Sequence, residues 1–171
     1  MKIQAIALTA ALMMGAGSVA AHAQAFSDQD KTFLKKATED NLAEIKLGEL
    51  TVKTTKNPQI KMFAQKMVTD HTALLNGIKP VAAKAGVELP TSPSVAETAE
   101  YAKMKVLTGE TYDKSYVKGM VKDHHEDLDK MKQENQATNN ADIKKLTAHA
   151  GDVIQGHTTM IDGIAGKMGI Q

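Results

Sequence analysis

Val87-Glu-Leu-Pro-Thr-Ser-Pro93 cannot be helix, because two prolines within four residues remove backbone donors and push the residues before them out of the α region. Ser94-Val-Ala-Glu97 follows at once. A serine with a glutamate three residues on is a capping box, so a short helix is expected from there to about Leu107. On both sides of this segment apolar residues recur at spacings of three and four, the signature of helices. Upstream, Ser27 with Asp30 resembles a capping box with Asp in the place of Glu, and opens a helix over about Asp28 to Thr54. Asn57 and Pro58 then supply a cap and a first helical residue for a second helix, which should run to about Ala85 and stop at Gly86. Downstream, a third long helix is expected from about Gly109 to Gln136. Asn139 and Asn140 cap a fourth, which reaches about Met168.

Two features strain this pattern. Pro80 has no N–H for the carbonyl of Asn76, which predicts a kink or break near Asn76-Gly77. The fourth long helix contains Gly151, Gly156, Gly163 and Gly166, each costing about 1 kcal/mol relative to alanine, so it either packs closely there or frays.

Connection lengths set the topology. The first two long helices are joined by a few residues, as are the last two, so each pair should be antiparallel. The middle connection, about twenty residues, is long enough to travel the length of the molecule. It would leave the second and third long helices parallel. The expected fold is all-α: a ferritin-like four-helix bundle with a long crossover carrying a short extra helix.

The chain of 171 residues has no cysteine, which excludes disulfides, thiolate metal sites and lipoprotein attachment. It begins with Lys2, an apolar run from Ile3 to Met14, and Ala21-His22-Ala23, a small-x-small cleavage site. Residues 1–23 therefore read as a signal peptide and 24–171 as one domain exported to the periplasm or cell envelope, with a second possible cut after Ala25. No other stretch is apolar enough to span a bilayer. Lys2 is the only charged residue of 1–23, so the remainder is formally neutral, and the chain contains no arginine. Such a chain has neither the field nor the bidentate groups for nucleic-acid binding. The partners left open are an envelope protein or a second copy.

Each long helix carries one ionisable residue near the centre of its apolar stripe: Glu44, His71, His124 and His157. At 1.5 Å per residue, Glu44 lies about 18 Å before the first turn and His71 about 20 Å after it. If the crossover returns the chain to that end, His124 sits about 22 Å along its helix, with His157 roughly one turn away. The four groups could meet in one layer. A repeat supports this: Phe63-Ala-Gln-Lys-Met-Val-Thr-Asp-His71 matches Tyr116-Val-Lys-Gly-Met-Val-Lys-Asp-His124. Asp70 and Asp123, one residue before the inward histidines, point to the flank, where each could accept a hydrogen bond from a neighbouring histidine.

These motifs, with Asn41-Leu-Ala-Glu44-Ile-Lys-Leu-Gly48 and Leu107-x-Gly-x-x-Tyr112-Asp-x-x-Tyr116, resemble the bacterial family called domain of unknown function 4142 across nearly the whole of 24–171. The resemblance implies an exported protein, commonly labelled outer-membrane or periplasmic, with a ferritin-like fold and no established activity.

Two readings of the polar layer stand. One is a transition-metal site for zinc, copper, iron or manganese, with Glu44, His71, His124 and His157 as ligands and Asp70 and Asp123 behind them. Buried ionisable groups cost several kcal/mol unless paired or metal-bound, which motivates it. The other is a metal-free hydrogen-bonded layer that fixes helix register in a structural, envelope-stress or interaction module. Met67, Met120 and Met160 could add soft thioether ligands for copper, or simply fill the core. No Glu-x-x-His pair exists, so a di-iron oxidase lacks its ligands. No nucleophile elbow, phosphate-binding glycine loop or His-Glu-x-x-His is present, so no catalytic residue is assigned.

Overall fold

The structure, a computed structural model, describes residues 25–170; the expected signal peptide, 1–23, lies outside them. Among the described residues there are five helices and no strand: α1 (Asp28–Thr54), α2 (Pro58–Ala85), α3 (Val95–Lys105), α4 (Gly109–Ala137) and α5 (Ala141–Met168). No helix among them is long and apolar enough to cross a membrane.

The capping signals act as their chemistry dictates. At α1 the backbone N–H of Asp30 donates to Ser27 Oγ, and the Ser27 N–H donates back to Asp30 Oδ2 at 2.7 Å. Asp30 also accepts from the Thr138 hydroxyl at 2.6 Å, which ties the start of α1 to the α4–α5 turn. Asn57 caps α2 and Gly86 ends it in the left-handed region, at φ 65°. Asn140, rather than Asn139, caps α5. Helix α2 runs unbroken through Pro80. Asn76 and Pro80 are both exposed, so water can satisfy the carbonyl that the proline leaves free. Helix α5 does not fray at its glycines. A Cβ at Gly156, Gly163 or Gly166 would meet nothing within 4 Å, so close packing does not explain them either. Close approach occurs instead at Gly48, where a Cβ would lie 2.9 Å from Val68 and 3.1 Å from the Ala64 carbonyl.

Packing pairs α1 with α2, α2 with α5, α5 with α4 and α4 with α1, so the four long helices close a ring; α3 packs on α1 and α4. The register of contacts gives the directions. Along α1, Leu34 and Ala37 share an apolar cluster with Ile78 and Ala82, Asn41 meets His71, and Gly48 meets Ala64. Numbers rise on one helix as they fall on the other, so α1 and α2 are antiparallel. Gln29 meets Glu134 while Thr51 meets Tyr112, so α1 and α4 are antiparallel too. Helices α2 and α4 therefore run parallel, joined by the crossover.

The apolar interior is in two parts. One surrounds Phe63, Met67, Tyr116, Val117, Met120 and Ile161; the other holds Leu34, Ala37, Ile78, Ala82 and Ile143. Each large side chain fully buried there contributes roughly 1.5–3 kcal/mol. Buried polar residues from all four long helices, Asn41, His71, His124 and His157, meet one another in the interior.

Candidate metal centre

His71 on α2, His124 on α4 and His157 on α5 each lie at most 4 % exposed. Their ring centroids are 5.3 Å (71–157), 5.5 Å (124–157) and 6.1 Å (71–124) apart. One ring nitrogen from each lies within 4.8 Å of the other two. Phe63 presents its ring edge-on to His124 and His157, at 6.0 and 6.2 Å, and closes this side of the layer with apolar surface.

Each imidazole is held by its outer nitrogen. His124 Nδ1 lies 3.0 Å from the Met120 carbonyl, which can only accept, so Nδ1 carries the proton. His157 Nε2 lies 2.7 Å from Asp70 Oδ2. Burial works to raise the Asp70 carboxyl, but Lys66 and His157 together hold it below its ordinary range, so it is ionised and accepts. His71 Nδ1 lies 3.0 Å from Asn41 Oδ1. The Asn41 amide nitrogen already donates to the Ala37 carbonyl at 2.6 Å, which leaves its oxygen to accept from His71. The nitrogens left over, Nε2 of His71, Nε2 of His124 and Nδ1 of His157, are lone-pair acceptors. All three are buried without a hydrogen-bond partner. An oxygen behind the ring that fixes the tautomer of a ligating histidine is the usual arrangement around a bound metal.

Electrostatics keep the rings neutral. Burial, and then the two neighbouring imidazoles, push His71 well below the ordinary histidine value. Burial and His157 bring His124 down to about 4, against the opposing effect of its bond to Met120. Burial lowers His157 although Asp70 works the other way. At neutral pH all three are therefore in the form that binds metal.

Glu44 is buried as expected but is not brought into this group. The α1 side chain level with the histidines is Asn41. Glu44 is three residues on, about 4.5 Å along the axis and a net of about 60° around it. It lines a cleft of about 450 Å³ walled by α1, α3 and α4. Burial, then Asp127, Asp123 and Asp40, push its carboxyl well above the ordinary range, and its Oε2 has no partner. Asp123 lies in the same cleft, 3.6 Å from Lys122, and bonds to no histidine. Asp70 alone of the two aspartates reaches an imidazole. His125 stays outside and faces Asp162 at 3.2 Å. Met67 and Met120 belong to the apolar cluster, and Met160 packs against it.

Sequence reasoning passed over Asn41. Its signal was an amide in the apolar stripe of α1, four residues after Ala37, whose carbonyl could orient it. Nothing in the sequence fixes where α3 docks, so the cleft that Glu44 and Asp123 line carries no sequence signal.

A family profile described as domain of unknown function (DUF4142) matches residues 16–164. No curated protein and no solved structure matches the chain.

Proposed function

The chain belongs to the DUF4142 family, and from its three converging imidazoles we propose that it is an exported, ferritin-like helical protein whose core binds one transition-metal ion through His71, His124 and His157. The observation that carries this reading is the split within each ring. The outer nitrogens are satisfied by Asn41, Met120 and Asp70, while the inner three are buried acceptors with no donor. Leaving such atoms unpaired costs about 1–3 kcal/mol each. A hydrogen-bonded layer without metal would need donors for them, and three rings whose protons all point outward supply none.

The donor set favours zinc or copper. Neutral imidazoles suit borderline metals, and tetrahedral bonds of about 2.0–2.1 Å place ligand nitrogens roughly 3.3 Å apart, within reach of small side-chain shifts. Three protein ligands leave a coordination position for an exogenous ligand. A di-iron centre does not fit, because no carboxylate joins the three nitrogens. Export rests on Lys2, the apolar run after it and Ala21-His22-Ala23. Mass spectrometry of the protein recovered from a bacterial periplasm should give a chain beginning at Gln24 or Phe26.

Chelator-treated protein titrated with zinc or copper should bind one equivalent and melt at a higher temperature, since a ligand of the native state alone must stabilise it. His71→Ala should abolish both effects. An unchanged melting temperature across both metals removes the metal reading and leaves a helical family member of unassigned role.

A further inference from the structure

The cleft that Glu44 enters has a chemistry of its own. Six carboxyl groups line it against three lysines, and its deeper surface is formed by Leu47, Met104, Tyr116 and Met120. Glu44 is 9 % exposed, and its Oε2 is buried without a hydrogen-bond partner. A carboxyl among apolar side chains keeps its proton until a cation comes to sit beside it. All three lysines are engaged with other carboxyls, Lys36 with Asp40 at 2.7 Å, Lys122 with Glu126 at 3.0 Å and Lys130 with Asp127 at 2.7 Å. Among the described residues only the three histidines bring three ligand atoms within 4.8 Å of one another. The cleft carboxyls do not bring several oxygens to one point, which does not suit a small hard cation requiring convergent ligands.

We propose that this cleft binds an aliphatic polyamine, with one ammonium seated on Glu44 and the methylene chain against Leu47, Met104, Tyr116 and Met120. A polyamine joins ammonium groups by short hydrocarbon runs, which matches one buried, unpartnered carboxyl beside apolar wall in a cleft lined by five further carboxyls. The cleft volume is in the range of small-molecule sites. This site is separate from the histidine layer and does not depend on the metal reading.

Calorimetric titration of residues 24–171 with spermidine tests it, alongside a diol of similar length and magnesium. Spermidine should bind one to one, more weakly as salt rises, and the diol should not bind. Magnesium should displace spermidine no better than sodium does at equal ionic strength. Glu44→Gln, which keeps the side-chain shape and removes the carboxyl that can ionise against an ammonium, should weaken binding at least tenfold. Gly119 also lines the cleft, and a Cβ there meets nothing within 4 Å, so Gly119→Leu should fill the cleft and abolish binding without disturbing the helix. Absence of spermidine binding at millimolar concentration overturns the proposal. So does binding that both variants leave unchanged, or specific displacement by magnesium.

Discussion

The histidine layer and the Glu44 cleft put ionisable side chains on the same apolar stripes, about one helical turn apart along α1, and solve burial in opposite ways. An imidazole has two nitrogens, so it can be anchored outward through one and offer the other inward. His71, His124 and His157 all do this, and all are neutral. Glu44 has no such anchor; it turns toward the cleft among other carboxyls, and its proton is held by burial and repulsion. An ionisable residue in an apolar stripe thus predicts burial, but not which neighbours it meets.

Breaking the layer should produce the largest effect. His157→Ala opens a cavity and leaves Asp70 without its histidine, so denaturant unfolding at pH 7.5 should show a loss of about 3 kcal/mol. Any stabilisation by metal should disappear with it.

Acidity should separate the two regions by sign. Histidine values are depressed in the folded state, so the unfolded chain binds more protons once the pH drops below about 6.5, its unperturbed value. Stability should then fall from pH 6.5 towards 4, by up to about 1.4 kcal/mol per pH unit for each buried ring. Glu44 is raised in the folded state, so its contribution is full below about pH 4.5 and is lost as the pH climbs above that. Glu44→Gln should therefore be more stable than wild type at pH 8, with the difference vanishing near pH 4. Melts across that range check both limbs, and a difference that instead grows on acidification contradicts the placement of Glu44.

Asn41→Ala sharpens the contrast on α1 itself. It removes the acceptor that fixes the His71 tautomer, at a cost of about 1 kcal/mol in the metal-free protein. Metal affinity should drop by roughly 10- to 100-fold in the titration. The smallest change is expected from Gly156→Ala or Gly163→Ala, each of which has open space for a methyl group. Either should raise stability by about 0.5–1 kcal/mol and alter neither polar region.

The helices were legible because their ends are written in local chemistry: Ser27 with Asp30, Asn57 before Pro58, Ser94 with Glu97. The depth of the histidines was legible because rise per residue is nearly constant, so distance from a turn converts to height. What Glu44 faces was not, since height is known only to about a turn and three residues turn a side chain by a net of about 60°, enough to move it from one interhelical seam to the next. Nor was the cleft, which exists only where α3 packs against α1 and α4. There Lys36 bridges Asp40 at 2.7 Å and Glu97 at 3.4 Å, and the proton shared between those carboxyls stays on Asp40, raised by burial and by its bond to Glu97. No local pattern encodes a contact between residues so far apart in the chain. The chemistry of Pro80 was read correctly, but not its exposure, which lets α2 continue.

Long-range proton–nitrogen spectra of the imidazole rings, recorded on metal-free 24–171 at pH 7.5 and again with one equivalent of zinc, test the inward lone pairs most directly. The expected spectra show the Nδ1–H tautomer for His71 and His124 and the Nε2–H tautomer for His157, with zinc shifting the opposite nitrogen of each ring. Charged or tautomer-averaged rings, or three rings unmoved by zinc, would contradict it.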